Sequence, residues 1–149
     1  MEKADRRLLD TIQDGLPLVS HPFRTLGDSL EMSESEVIVR LERLQEEGII
    51  RRIGPILDMR KLGCSGVLVA IKVPPDQADE VANIVNEYKE VSHNYLRPND
   101  SGYNIWFTVS AREERIHVIL AEIRDRTGLD QLVLPTKKIF KIGVKFDII

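Results

Sequence analysis

A single cysteine, Cys64, stands among the 149 residues, so no intramolecular disulfide can form and a metal site built on several thiolates is excluded. Only three histidines are present, His21, His93 and His117, and their scatter offers no ligand cluster, so no bound metal is expected. Aromatic residues are scarce, at 5% of the chain, which makes any local gathering of them informative. Long apolar runs are missing too: none approaches the roughly 20 residues that a membrane-spanning helix needs. The charged start from Met1 to Arg7 passes into an amphipathic pattern instead of the unbroken apolar core of a secretory signal. A cytoplasmic protein with no membrane partner is expected. Neither sign of charge is in large excess, the formal net charge being −3. Its distribution says more: residues 1–58 carry twelve acidic and eight basic side chains, residues 59–149 twelve acidic and thirteen basic, so the later part is the slightly basic one.

What is present divides into two patterns. In the first, Leu8, Leu9, Ile12 and Leu16 follow a helical stripe broken by Gly15 and Pro17. Pro22, with φ already suited to a first helical position, opens a second short helix ending near Leu30. Ser33 and Glu36 make an S-x-x-E capping box ahead of Val37, Leu41 and Leu44, with Gly48 placed to terminate that third helix. Ile49 to Leu57 has strand character around Gly54-Pro55. Three helices and a ribbon predict a winged helix-turn-helix domain over residues 1–58. After a hinge at Asp58 to Gly66, strand and helix patterns alternate. Val67–Val73 reads as strand and Asp76–Tyr88 as helix; a hairpin follows, then a helix from Arg112 to Thr127 ended by Gly128, and a strand-like tail from Leu129 in which apolar residues and lysines alternate between Lys137 and Phe146. The order βαββαβ predicts a ferredoxin-like domain over 59–149, and hence an α+β chain.

The hairpin is the most informative stretch. His93, Tyr95 and Arg97 are two positions apart, so a regular strand would align an imidazole, a phenol and a guanidinium on one face. Beyond the turn signal Pro98-Asn99-Asp100-Ser101-Gly102, Tyr103, Trp106 and Phe107 carry most of the remaining aromatic surface. Such a ribbon suits a flat, acidic molecule. Each assignment has a plainer rival: His93 as a satisfied polar residue at a strand edge, Trp106 and Phe107 as core packing, the lysines as protection of an edge strand.

Val39-Arg40-Leu41-Glu42-Arg43-Leu44, Glu47-Gly48-Ile49-Ile50 and Leu57-Asp58-Met59-Arg60-Lys61-Leu62-Gly63 resemble the Lrp/AsnC-type regulators, and the likeness spans nearly the whole chain. It implies the fold more firmly than the function. A groove-reading helix needs cationic or neutral side chains facing phosphates. Here Ser33 to Glu47 carries Glu34, Glu36, Glu42, Glu46 and Glu47 against Arg40 and Arg43, a net −3, so DNA is not the expected partner, although a ligand-responsive DNA-binding regulator stays the competing reading.

Within that superfamily, four stretches resemble the siroheme decarboxylase subunits of the alternative haem pathway and of haem d1 formation. They are Leu16 to Phe23, Gly48 to Gly54, the hairpin His93-Asn94-Tyr95-Leu96-Arg97 with Tyr103 to Thr108, and Leu134-Pro135-Thr136 leading to Lys141-Ile142. The resemblance implies removal of carbon dioxide from the ring C and ring D acetates of siroheme, with the iron tetrapyrrole as substrate and no further cofactor required. A positioned acid is the main requirement, and histidine, with an ordinary pKa of about 6.5, gives and regains a proton readily. His93 is assigned that role, with Tyr95 as second donor. Carboxylates buried without counter-charges would be costly, so Arg97, Lys137, Lys138 and Lys141 are expected to pair with them, the lysines from the last strand, while Tyr103 and Trp106 meet the ring. Apolar walls from Trp106, Phe107 or Phe140 are expected beside a reacting acetate, because a strong salt bridge there would hold the charged ground state. The uncovered sheet face makes a second copy of the domain the natural cover, and the resemblance implies pairing with a similar subunit, either identical or a paralogue.

Overall fold

The computed structural model describes residues 1–98, 100–141, 143 and 145–148. They gather into two compact units: Met1–Pro55 together with Lys141–Ile149, and Ile56–Phe140.

The first unit holds α1 (Lys3–Ile12), α2 (Pro22–Leu30) and α3 (Glu34–Glu46). Their boundaries follow local chemistry. Pro22 occupies the first turn of α2, and Ser33 Oγ accepts the Glu36 N–H at 3.1 Å to cap α3. The Glu36 carboxylate does not complete the expected box; it turns along the helix to Arg40, 2.9 Å away. Leu8 and Leu9 from α1, Leu26 and Leu30 from α2, and Val37, Leu41 and Leu44 from α3 form one core, closed by Ile50. Between α2 and α3 the backbone turns so tightly that a Cβ added to Gly27 would lie 2.5 Å from the Met32 carbonyl oxygen. Gly27→Ala is therefore expected to destabilise this unit by about 1–3 kcal/mol; an unchanged denaturant midpoint would mean that the turn opens freely.

Ile49–Leu57, expected as a ribbon, forms no strand. Each arm beside Gly54-Pro55 is only a few residues long, Pro55 has no N–H to donate, and an isolated two-stranded ribbon is marginal in water. The tail also departs from expectation. Its described residues beyond Pro135 form no strand, residues 142 and 144 of the expected strand lying outside them, and the end returns to α1: Gln13 Nε2–H donates to the Phe146 carbonyl oxygen (2.9 Å), the Phe146 N–H donates to Gln13 Oε1 (2.7 Å), Lys145 pairs with Asp14 (2.8 Å), and Ile148 packs on the helical core.

The second unit contains β1 (Ser65–Ile71), α4 (Ala78–Asn86), β2 (Val91–Leu96), β3 (Ile105–Ala111), α5 (Glu113–Thr127) and β4 (Gln131–Pro135). Its sheet is antiparallel in the order β2-β3-β1-β4, the ferredoxin-like arrangement. Alternation decides the faces. In β3, Ile105, Phe107, Val109 and Ala111 are buried, and with Val69 and Ile71 of β1 they join Val81, Val85, Ile116, Ile119 and Ile123 of the two helices in one core. Phe107 is fully buried there, so it cannot wall a ligand on the opposite face, where Trp106, Thr108 and Ser110 are partly exposed.

Candidate active site on the open face of the sheet

The face turned away from α4 and α5 is ordered by strand register. One cross-strand row runs His93, Thr108, Leu68, Leu134, and the next runs Tyr95, Trp106, Ala70, Leu132. The chemistry therefore sits at the β2 edge, and the surface becomes aliphatic toward β4. His93 and Tyr95 rings lie 6.0 Å apart, and the Arg97 guanidinium carbon is 5.6 Å from the Tyr95 ring centroid. The three residues picked out by their spacing thus form a continuous series. Arg97 stands one residue beyond β2, held through its N–H donating to the Asn104 carbonyl oxygen at 2.6 Å. Among the described residues no carboxylate pairs with its guanidinium.

The β3 side of the hairpin is braced by its own contacts. Trp106 Nε1–H donates to the Tyr103 carbonyl oxygen at 3.2 Å, and the two rings meet edge to face at 6.4 Å. Lys72, not anticipated from the sequence, places its ammonium 4.7 Å from the Tyr103 ring centroid. Asn104 fixes the strand end: its Oδ1 accepts the Val73 N–H (2.9 Å) and its Nδ2–H donates to the Val73 carbonyl oxygen (2.7 Å).

Around His93 the ladder is irregular. Val91 faces Val109 but His93 faces Thr108, so Ser92 is an extra residue on β2. Ser92 Oγ lies 3.0 Å from His93 Nδ1 and 2.8 Å from Thr108 Oγ1, and Thr108 Oγ1 lies 3.4 Å from the same nitrogen. The sequence offered only the adjacency of Ser92 and His93; the part of Thr108 depends on a register set by the bulge.

The lysines do not stand where they were expected. β4 ends at Pro135, so Lys137 and Lys138 follow in exposed chain outside the sheet, and Lys141 belongs to the helical unit. Lys138 lies 4.9 Å from the ring of Phe140, which is itself exposed. The mixture of lysines and apolar residues from Lys137 to Phe146 misled because it describes a solvated tail as well as an edge strand.

A concavity of about 450 Å³ lies elsewhere in this unit, lined by Glu87, Tyr88, Lys89, Glu90, Arg115, Glu122 and Arg126. Its guanidiniums are already matched: Arg126 spans both oxygens of Glu87 at 2.7 Å, and Arg115 meets Glu90 at 2.9 Å. These pairs hold the Glu87 and Glu90 carboxyls below the usual carboxylate range. Burial pushes the Tyr88 phenol up. Such a groove has neutralised its own arginines and suits an anionic ligand poorly. The sheet face offers a guanidinium that pairs with no carboxylate among the described residues but is open, with Tyr95 half exposed, so it needs a cover to exclude water.

Among the described residues no group of three or more histidines, cysteines or acids is placed to hold a metal ion, and no helix is long and apolar enough to cross a membrane.

Residues 61–141 match the AsnC-like ligand binding domain family, and residues 5–51 match the siroheme decarboxylase NirDL-like HTH domain. The fold is shared with an AsnC family transcriptional regulator from Agrobacterium tumefaciens, with a TM-score of 0.78 over 98% of this chain and 96% of that one, at 19% identity. These are the marks of a two-domain AsnC-like protein. Higher identity narrows the class. The siroheme decarboxylase alpha subunit of Nitratidesulfovibrio vulgaris is 43% identical over 147 residues, covering 98% of this chain and 82% of that protein. The siroheme decarboxylase NirDL in co-complex with an iron-uroporphyrin III analogue aligns with a TM-score of 0.71 at 33% identity, over 97% of this chain and 48% of that chain. The chain belongs to the siroheme decarboxylase family.

Proposed function

We propose that this chain is a carboxy-lyase subunit that removes the ring C and ring D acetate carboxylates of siroheme, giving didecarboxysiroheme, on the open face of its β2–β3 hairpin. The observation that carries the reading is the series His93, Tyr95, Arg97 beside Trp106: a proton source, a second donor and a guanidinium that pairs with no carboxylate among the described residues, next to an aromatic surface. At each acetate, protonation of the pyrrole lets the ring accept the electron pair as the carbon–carbon bond breaks and carbon dioxide leaves. The exocyclic methylene left behind takes a proton as the ring releases one, so one proton is consumed per methyl formed. His93 is the acid in this scheme, with Tyr95 beside it. Arg97 clamps a carboxylate that does not react, by two parallel hydrogen bonds. Tyr103 and Trp106 meet the macrocycle, and Lys137 and Lys138, in exposed chain beyond β4, serve as outer counter-charges. The iron arrives with the substrate, and no other cofactor is needed.

The uncovered sheet face supports work with a homologous subunit, a paralogue or a second copy, whose sheet would close the site in the cytoplasm. DNA is not a partner in this reading. The two arginines of α3 are engaged within the helical unit, Arg40 with Glu2, Asp5 and Glu36 and Arg43 with Asp5, which leaves that helix little free positive charge for phosphates. Incubation of the protein, with any paralogous subunit, with siroheme under reducing anaerobic conditions is expected to yield a pigment lighter by two carbon dioxide units on mass spectrometry. An unchanged pigment together with salt-sensitive binding to duplex DNA would favour the regulator.

A further inference from the structure

An acid that transfers protons through one nitrogen of an imidazole needs its other nitrogen held, or the ring turns and the proton is misdirected. In most histidine sites a carboxylate or a backbone carbonyl does this. Here the neighbours of His93 Nδ1 are two hydroxyls, Ser92 Oγ at 3.0 Å and Thr108 Oγ1 at 3.4 Å, themselves 2.8 Å apart. We propose that Ser92 and Thr108 are positioning residues for the decarboxylation, a hydroxyl pair that holds His93 through Nδ1 and reserves Nε2 for the substrate. The inference rests on the assignment of His93 as the acid and extends it to two residues that act through its imidazole.

Three features support it. The bulge inserts Ser92 between Val91 and His93. Without it, consecutive residues would point to opposite faces, and Ser92 could not share Thr108 with the imidazole. Thr108 stands directly opposite His93 on the central strand β3, whose backbone is paired on both sides, so the hydroxyl is presented from a rigid element. A hydroxyl is also the right partner chemically. Its oxygen accepts from Nδ1–H both while the ring is charged and after Nε2 has given up its proton, with Ser92 O–H passing to Thr108 Oγ1. A carboxylate in that place would favour the imidazolium and weaken it as an acid. The hydroxyl pair orients without that bias.

The test uses the full chain with its partner subunit and siroheme as substrate. Thr108→Val keeps the branched shape and removes only the hydroxyl. It is expected to lower kcat between roughly 10- and 100-fold, leaving KM for siroheme within about a factor of two, as a residue that acts through the imidazole should. Thr108→Ser should recover most of the rate. In a His93→Ala background Thr108→Val should have no added effect, because the residue it positions is gone. Nitrogen NMR of the His93 ring gives a readout independent of turnover: the resonances should move in Thr108→Val and return in Thr108→Ser. Unchanged kcat together with unchanged ring resonances would overturn the proposal. Shifted resonances with full turnover in both Thr108→Val and His93→Ala would instead remove His93 as the acid, and the catalytic role of the pair with it.

Discussion

Replacing His93 with alanine is expected to lower turnover of siroheme by roughly 10²- to 10⁴-fold, the usual worth of a positioned acid, while the macrocycle still binds. The separation of the two effects follows from the layout. In the proposed site Tyr95, Trp106 and Tyr103 provide flat surface and Arg97 the charge, and two of these anchors are held independently of the imidazole: Trp106 is tied to the Tyr103 carbonyl, and the Arg97 backbone to the Asn104 carbonyl. Removing the ring takes away the proton and little of the binding surface, so kcat should fall with KM nearly constant. Stopped-flow absorbance of the bound pigment, read with product mass, separates the two. A His93→Ala protein with full turnover would falsify the assignment of the acid, leaving the family membership untouched.

The second large effect concerns the helical unit. Asp5 is completely buried, yet it is the hub of the unit's charges: its carboxylate meets Arg40 at 2.9 Å and Arg43 at 2.6 Å and accepts the Glu2 N–H at 2.9 Å. Burial pushes the Asp5 carboxyl up, but the hydrogen bonds from Glu2, Arg40 and Arg43 outweigh it and hold the carboxyl below its ordinary value. The native state therefore favours the ionised form more than the unfolded chain does. That stabilisation is complete above the ordinary aspartate range of about 4, and is lost as pH falls through the depressed native value. Asp5→Asn should cost about 2–3 kcal/mol at neutral pH, below the usual penalty for breaking a buried pair because Arg40 keeps Glu2 and Glu36. Its cost should shrink in acid, where the native protein loses the same interaction. Native-state hydrogen exchange of α1 and α3 amides, measured near neutrality and near pH 3, checks both statements. Equal protection in the two proteins at neutral pH would mean that the network contributes no stability.

Much of this architecture was legible because it depends on local patterns. Pro22 and Ser33 mark helix starts through their own backbone chemistry, and the 3.6-residue spacing of Val37, Leu41 and Leu44 matches the buried face. The alignment of His93, Tyr95 and Arg97 also followed from period two, since the bulge lies before His93 and leaves the later residues in step. What escaped depends on register or on distant partners. Trp106 and Phe107 are neighbours of similar character, and only the pairing of β3 decides that one faces the open side of the sheet and the other the core. Thr108 became part of the His93 surroundings through an extra residue that no periodicity announces. The engagement of Arg40 and Arg43 was not legible because their partner, Asp5, lies more than thirty residues away on another helix.

The return of the tail to α1 means that the polypeptide passes between the units twice, after Pro55 and after Phe140. The sheet-bearing unit is thus a long insertion within the helical one, secured at both ends. Cleavage by a protease after Pro55 would sever α1–α3 from the sheet-bearing unit, leaving the two held together only by the tail's hydrogen bonds and packing on α1; cleavage after Phe140 would release the tail and leave sheet and helices in one covalent piece.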